Sequence, residues 1–317
     1  MTLYATKPAC WAPGLDGDAA WKDWLEGRRA IERTDAQPPL SFTPPLFRRR
    51  LSQLSRMTVQ VVHDALELAG LGAVPEKTGT AAVGGSSATG IAGLKQSFVS
   101  FRGELARQLS INRTLITEQD VLPASFSLSV FNTPMALASI ACGLTGGYSV
   151  LFPPADAFYD GFFAACAPLL CGEEDRLLFV YADEAVPAEY AAFCPDDADP
   201  LAFATVLSAR PVELSARVPE GGLAPESGLA PEGAACPQAA GSAAPVASVP
   251  CGSSIAFDHT AAAGMTPAAF LRMLLREASA GAGGSPGNVR DRSRSSTGGT
   301  DCDSGSVGNG GGRSAGQ

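Results

Sequence analysis

The sequence lacks the features that mark several common classes of protein. No stretch of its 317 residues approaches the roughly 18–20 consecutive apolar residues of a membrane-spanning helix. Positive charge is scarce, since 23 lysines and arginines stand against 32 aspartates and glutamates, whereas nucleic-acid-binding domains carry basic stripes. The first ten residues, MTLYATKPAC, contain no apolar core of a secretory signal. We therefore expect a cytoplasmic protein with no membrane span and no nucleic-acid partner.

Ligands for a metal ion are also scarce. The only histidines are His63 and His259, and the eight cysteines include no C-x-x-C pair. A zinc site would therefore lack its usual ligand spacing. In a cytosolic protein such cysteines are reduced thiols, several of them small core residues. We expect neither a metal nor another cofactor.

Short apolar runs alternate with amphipathic segments over residues 1–215, which we predict to be one domain. The clearest helix covers 47–70, where apolar residues follow a 3.6-residue period. The run RLLFVY at 176–181 is typical of a strand buried on both faces. Further helices are predicted at 18–28, 102–115 and 155–170, and further strands at 2–6, 96–100, 148–152 and 201–207. This alternation predicts a layered α/β domain around a largely buried sheet.

Composition sets apart the remaining segments. Residues 78–95 are small and glycine-rich, which predicts a loop insertion, and residues 216–254 are an Ala/Pro/Gly-rich linker in which GLAPE occurs twice. The segment 255–279 is predicted to be a C-terminal helix that packs on the domain. Residues 280–317 are rich in glycine and serine, and we expect them to be disordered.

The stretch FSLSVFNTPMALASI, residues 126–140, reads as a strand, a corner and a helix. Apolar and serine residues alternate up to Val130, and Thr133 and Pro134 suit a helix cap and a first helical position. Many enzymes place a nucleophile at such a corner. The corner here is made of Phe131, Asn132, Thr133 and Pro134.

Several segments together resemble the beta-ketoacyl synthase-like N-terminal domain family, which has a thiolase-type fold. They are WAPGL (11–15), RRRLSQLSRM (48–57), SFRGEL (100–105), FSLSVFN (126–132), SIACG (139–143), LLFVYADEAVP (177–187) and FLRMLL (270–275). The resemblance implies a layered αβα half-domain with a mixed, largely buried sheet. It also implies a role in a fatty-acid, polyketide or aryl-polyene pathway.

The corner departs from the family's pattern, which commonly reads S-V-H-N where this chain has Phe131 in place of the histidine. The synthase cysteine's place falls on Thr133, and the two later catalytic histidines belong to a C-terminal half that we expect the chain to lack. The resemblance therefore implies a pseudoenzyme. Thr133 and Cys142 are the remaining candidate nucleophiles, and a helix cap and a buried structural thiol are their alternative interpretations.

Two charged groups also stand out. Arg48, Arg49, Arg50 and Arg56 form the strongest basic cluster, either a solvated helix start or a docking patch for an acyl carrier protein or its phosphopantetheine phosphate. Asp183 and Glu184 follow the apolar run, where α/β folds often place functional groups, although a loop carboxylate or helix cap is the simpler interpretation.

Three hypotheses follow. The first is a non-catalytic accessory protein that pairs with a ketoacyl synthase, as a homodimer or heterodimer, because a lone thiolase half leaves an apolar patch uncovered. The second is a small acyltransferase or thioesterase that acts on acyl carrier protein substrates. The third is a binding module for the carrier protein through Arg48–Arg50.

Overall fold

The protein is described by a computed structural model that covers residues 1–71, 91, 93–154, 156–193, 199–211 and 254–282. Residues 281 and 282 are described by their backbone alone. Within these residues the strands are β1 (Thr2–Ala5), β2 (Ala9–Trp11), β3 (Lys95–Val99), β4 (Tyr148–Leu151), β5 (Arg176–Asp183), β6 (Leu201–Ser208) and β7 (Ile255–Asp258). The helices are α1 (Gly17–Leu25), α2 (Pro45–Arg48), α3 (Gln53–Leu68), α4 (Leu105–Glu118), α5 (Pro123–Ser127), α6 (Thr133–Cys142), α7 (Phe158–Leu170) and α8 (Pro267–Ala282). Two short 3₁₀ helices cover Ala188–Phe193 and His259–Ala262.

All seven strands belong to one mixed sheet. Their order is β4-β3-β5-β6-β1-β7, and β2 pairs with β6 beside β1. β3 runs parallel to both β4 and β5, whereas β6 runs antiparallel to β5, and β1 is antiparallel to both of its neighbours. The parallel half therefore brings the carboxyl ends of β3, β4 and β5 to one edge of the sheet.

Both faces of the sheet are covered, and the two-residue period of β5 shows how. Leu177, Phe179 and Tyr181 belong to one core, and the alternate residues Leu178, Val180 and Ala182 belong to the other. The first core is closed by α1, α7 and α8 and is rich in phenylalanine. The second core is closed by α3 and α6 and is built from smaller residues. The result is a three-layer αβα arrangement.

The first core is held by aromatic packing around Phe270 of α8. Its ring lies 4.9 Å from that of Phe162 and 5.5 Å from that of Phe158, measured between centroids. Phe257 of β7 also packs against it, with centroids 5.8 Å apart. Aromatic pairs at these separations contribute about 0.5–1.5 kcal/mol beyond their burial. Chain segments far apart in sequence are thus joined into one domain.

Most predicted elements are found, and the sheet and its covering helices differ from the prediction in the following ways. The helix predicted over 47–70 is split into α2 and α3, because Ser52 is an extended N-cap whose hydroxyl accepts from the Ser55 N–H at 3.0 Å. β2 was not predicted. The segment 255–279 begins with β7, which pairs with β1, before the predicted helix starts at Pro267. The predicted loop insertion, linker and tail lie almost entirely outside the described residues.

β4 is the outermost strand next to β3, and a close backbone contact fixes its approach. A Cβ on Gly146 would lie 2.5 Å from the Leu94 carbonyl oxygen and 2.6 Å from Gly93. Gly146 is therefore required because a side chain would collide with the neighbouring backbone, and not because its backbone is left-handed. Gly93 itself has open space around its missing Cβ.

We predict that Gly146→Ala lowers the free energy of unfolding by about 1–3 kcal/mol, because the new methyl group overlaps backbone atoms that cannot turn away. Gly93→Ala is the matched control and should be neutral or slightly stabilising. Urea unfolding of both variants measures the difference. Equal stability of the two variants would contradict the close approach of β4 to β3.

Candidate functional site

The segment before α6 is not the strand that its alternating pattern predicts. Residues 126–130 form the end of α5 and a bend, and Phe126 and Val130 are exposed. The serines explain the error: the Ser127 and Ser129 hydroxyls donate to carbonyl oxygens three residues earlier, at 3.0 and 2.8 Å. Such local bonds compete with a sheet ladder and close helical turns. The strand-and-corner prediction is therefore wrong, although the helix after it is present.

The start of α6 is capped differently from the prediction. Asn132 occupies the N-cap, and Thr133 is the first helical residue, 5% exposed, so Thr133 is not the cap. The Asn132 side chain makes no capping bond, and its amide instead donates to the Tyr148 hydroxyl at 3.2 Å. Pro134 is buried, and Met135 belongs to the core shared with α3. The helix start is thus tied to the outer strand β4.

Phe131 covers the approach to this helix start. Its ring packs on Phe152, with centroids 4.3 Å apart, and is 52% exposed on its outer side. Gly103 lies beneath both rings, since a Cβ there would come within 2.9 Å of Phe131 Cδ1 and 3.1 Å of Phe152 Cε1. Gly103 also has a φ of +61°, which favours glycine. An apolar ring thus lies in front of the start of α6.

The thiol of Cys142 lies at the other end of α6. It is buried, and burial together with the nearby Asp64 carboxylate raises its pKa to about 12. The thiolate is the nucleophilic form of cysteine, so this thiol is poorly suited to attack a substrate. Cys142 packs instead among the apolar residues of the second core.

The four arginines of the basic cluster separate into two kinds. Arg48 donates to the carbonyl oxygens of Pro39 and Leu40, and Arg56 donates to the Arg48 carbonyl oxygen at 2.8 Å. These two side chains therefore tie α2 and α3 to the preceding loop. Arg49 and Arg50 are exposed.

Three carboxyl groups are buried together near the carboxyl end of β5, and the sequence did not predict their burial. Glu104 and Asp183 are 0% exposed and Glu184 is 1% exposed. Asp183 accepts from the Ser100 and Tyr181 hydroxyls and from two backbone N–H groups of residues 101 and 102. Glu184 accepts from the N–H groups of Leu54 and Ala106 at the starts of α3 and α4. In the sequence, the position of Asp183 and Glu184 directly after an apolar strand indicates such a cluster. No feature of the sequence indicates that Glu104 belongs to it.

A long exposed apolar surface flanks the start of α6. None of the residues from Leu105 to Asn132 is buried, so α4 and α5 contribute little to either core. The surface continues along α6, where the exposed Asn132, the half-buried Ala136 and the exposed Ile140 lie four residues apart on one stripe, and it reaches Tyr148. We call this region the α4–β4 surface, and its large exposed side chains are Leu115, Ile116, Leu122, Phe126, Val130, Phe131, Ile140 and Tyr148.

A cavity of about 1000 Å³ lies elsewhere, between α1, α8 and the end of α3. Trp21, Lys22, Asp64 and Arg276 are among its lining residues, and Cys10 also faces it. Burial raises the pKa of the Cys10 thiol to about 12. None of the corner residues lines this cavity, so the corner and the cavity are separate features.

Within the described residues no group of three or more histidine, cysteine, aspartate or glutamate side chains is arranged to hold a metal ion. In the same part of the chain, no helix combines the length and apolar character required to cross a membrane.

Comparison with known proteins gives a family and a fold. The sequence profile of the family described as "Beta-ketoacyl synthase, N-terminal domain" matches residues 21–71 and 88–244, which together are more than half of the chain. A comparison with curated protein sequences found no match.

Solved structures with a similar fold include a ketosynthase (ApeO) in complex with its chain length factor (ApeC) from Xenorhabdus doucetiae, with a TM-score of 0.52 and 24% identity over 66% of this chain and 79% of that one. The ishigamide ketosynthase/chain length factor has a TM-score of 0.49 and 14% identity over 67% of this chain and 65% of that one. A beta-ketoacyl synthase from Burkholderia phymatum STM815 has a TM-score of 0.46 and 16% identity over 65% of this chain and 58% of that one. The match thus spans less than two thirds of the last two chains. The predicted thiolase-like αβα fold with a mixed, buried sheet is confirmed.

The state of the thiols gives a prediction about reactivity. In the native protein near pH 7.5, iodoacetamide should label the exposed Cys171 and leave the buried Cys142 and Cys166 unlabelled, because a thiol with a pKa of about 12 is less than about 0.01% ionised there. Peptide mass spectrometry identifies each labelled residue, and labelling in urea serves as the control. If Cys142 were labelled as fast as Cys171, its thiol would be reactive, and Cys142 would again be a candidate nucleophile.

Proposed function

Because this chain belongs to the beta-ketoacyl synthase N-terminal domain family, we propose that it is a non-catalytic partner of a ketosynthase in fatty-acid, polyketide or aryl-polyene biosynthesis. It would act in the manner of a chain length factor, by pairing with the condensing enzyme and shaping the space for the acyl chain. The observation that carries the proposal is the α4–β4 surface. Chemistry, stability and the kind of partner support the proposal in three steps.

The first step concerns chemistry. Condensation by this family needs an acylated thiolate and polar groups that stabilise the enolate. At the helix start this chain has Phe131, Asn132 and a threonine, and the described cysteine nearest to it in sequence, Cys142, is buried with a raised pKa. This supports a role that does not require attack by the chain's own side chains.

The second step concerns stability. A helix in water is held mainly by the burial of an apolar face, and α4 and α5 bury no residue within the described chain. Ile116, 80% exposed, and the exposed Phe126 are residues that a partner would normally cover. The outer edge of β4 also pairs with no other described strand, and such an edge is open to pairing with another chain.

The third step concerns the partner. The fold neighbour from X. doucetiae is a ketosynthase in complex with its chain length factor, which supports a partner of that kind for this chain. We therefore propose a heterodimer with a full ketosynthase. A homodimer of this chain is the alternative outcome of the experiment.

We predict that Phe126→Glu or Ile140→Glu weakens the complex at least about tenfold, because a charge would be placed in a desolvated contact. Leu46→Glu is the matched control: Leu46 lies on α2 and is 72% exposed, as is Ile140. Each variant should keep its native unfolding curve, since its side chain is exposed. The chain is co-expressed with each ketosynthase of the same genome, and the complex is measured by sedimentation velocity.

A monomer that binds no ketosynthase and does not self-associate would contradict the proposal. If the chain forms a homodimer that the same two substitutions abolish, the partner at this surface is a second copy of the chain and not a ketosynthase. Equal weakening by Leu46→Glu would show that the surface has been assigned incorrectly.

A second proposal is that Arg49 and Arg50 dock an acyl carrier protein. Their exposure beside the first turn of α3 supports it, whereas Arg48 and Arg56 are engaged in internal bonds. An acidic partner would be attracted by this local positive charge on an otherwise acidic chain.

We predict that the double substitution Arg49→Glu and Arg50→Glu abolishes binding of the holo acyl carrier protein of the same pathway, and that wild-type binding weakens with added salt. Arg176→Glu, an exposed arginine at the opposite end of β5, is the control and should bind normally. Calorimetric titration measures all three. If the double variant bound the acyl carrier protein with unchanged affinity, this proposal would be contradicted.

A further inference from the structure

α4 is attached to the domain chiefly through its first turn. The Ala106 N–H donates to Glu184 Oε1 at 2.8 Å, and the fully buried Glu104 precedes the helix. Arg107 donates to the Arg50 carbonyl oxygen at 3.0 Å and to Glu104 Oε2 at 3.1 Å. Farther along, Arg113 pairs with Glu189, and such exposed pairs contribute little. The position of α4 therefore depends on the groups around its N-terminus.

Those groups contain more carboxyls than cations. Arg107 pairs with Glu104, and Arg102 lies 3.5 Å from Asp183 Oδ2. Glu184 accepts hydrogen bonds from backbone N–H groups and has no guanidinium or ammonium partner among the described residues. Three carboxyl groups thus face two positive charges in a buried region.

Full ionisation would leave one uncompensated negative charge in this buried region, which is costly. Glu184 is the carboxyl that lacks a counter-charge. Burial, together with the negative charges of Glu104 and Asp183, raises the pKa of Glu184 to about 7, although the N–H groups of Ala106 and Leu54 oppose the shift. Glu184 therefore titrates near neutral pH, and its protonated form predominates below about pH 7.

The cluster is connected to the α4–β4 surface through the loop after β3. Asp183 accepts from the N–H groups of Phe101 and Arg102, and Ser100 Oγ accepts from the Gly103 N–H at 3.0 Å. Gly103 lies directly beneath the ring of Phe131. The same buried acids therefore position both the first turn of α4 and the support of Phe131.

We propose that Glu184 is a positioning residue whose proton keeps α4 and the α4–β4 surface in the shape that the partner binds, so that pairing weakens as the pH rises. Loss of the proton leaves a net negative charge beside Glu104 and Asp183 and loosens the first turn of α4. The proposal rests on the proposed function only for its last step, the binding of a ketosynthase.

The direction of the effect follows from the shift. The unfolded side chain titrates near 4.5 and the folded one near 7, so the folded chain favours the protonated form. The stabilisation is complete below about pH 4.5 and is lost as the pH rises through 7. A partner that requires the protonated form should bind more weakly by up to about tenfold for each pH unit above 7.

The first test measures the dissociation constant of the ketosynthase complex from about pH 6 to about pH 8.5. Wild type should weaken over this range, and Glu184→Gln should change less than about twofold, since it cannot ionise. Glu67→Gln, an exposed carboxyl on α3, is the control and should follow wild type. Titrations within the ketosynthase affect wild type and both variants equally, so they cancel when the dissociation constants are compared as ratios at each pH.

The second test needs no partner. At about pH 8.5, trypsin should cleave after Arg107 and Arg113 several-fold faster in wild type than in Glu184→Gln, and equally fast near pH 6. A difference in cleavage without any ketosynthase binding would uphold the role of Glu184 in positioning α4 and reject the proposed function. Binding with identical pH profiles in wild type and Glu184→Gln would overturn the inference.

A second variant keeps the inference testable if Glu184→Gln does not fold. Glu104→Gln removes one of the neighbouring negative charges, and less repulsion stabilises the ionised Glu184 and lowers its pKa. The pH at which trypsin cleavage accelerates should therefore move downward. An unchanged transition in Glu104→Gln would overturn the inference.

Discussion

The burial of β5 on both faces is the constraint on which the rest of the structure depends. Its alternate side chains enter two different cores, so helices must cover both sides of the sheet. Its parallel pairing with β3 and antiparallel pairing with β6 join the two halves of the sheet. Its last residue, Asp183, and the following Glu184 then bind the backbone at the starts of three separate segments. The strand that organises the core thus also places the carboxyl groups that organise the surface.

The described chain is closely packed in its core and leaves part of its surface apolar and uncovered. α3 and α6 pack closely against the sheet, whereas α4, α5 and the bend before Asn132 bury nothing in the described chain. Phe131 and Phe152 pack together in front of the start of α6. A chain that keeps the scaffold, fills the corner with an aromatic ring and exposes an apolar flank is suited to act through a partner.

The sequence predicted those features that depend on local pattern. The continuous apolar run of β5 and the 3.6-residue period of α3 each favour one kind of element, and both elements are present. The alternation at 126–130 misled because serine hydroxyls bond to nearby carbonyl groups and stabilise turns as readily as they line a strand face. The burial of Glu184 was beyond reach, because its partners Leu54 and Ala106 lie 130 and 78 residues away.

The most direct measurement is amide hydrogen exchange over residues 105–131, in the free chain and in its complex with a ketosynthase. The account predicts fast exchange in α4 and α5 of the free chain, and protection that increases by more than about tenfold in the complex. The helix α3, which is buried within the chain, should exchange slowly in both states. Equal exchange of residues 105–131 with and without the ketosynthase, in a complex that has formed, would contradict the claim that this surface is the one the partner covers.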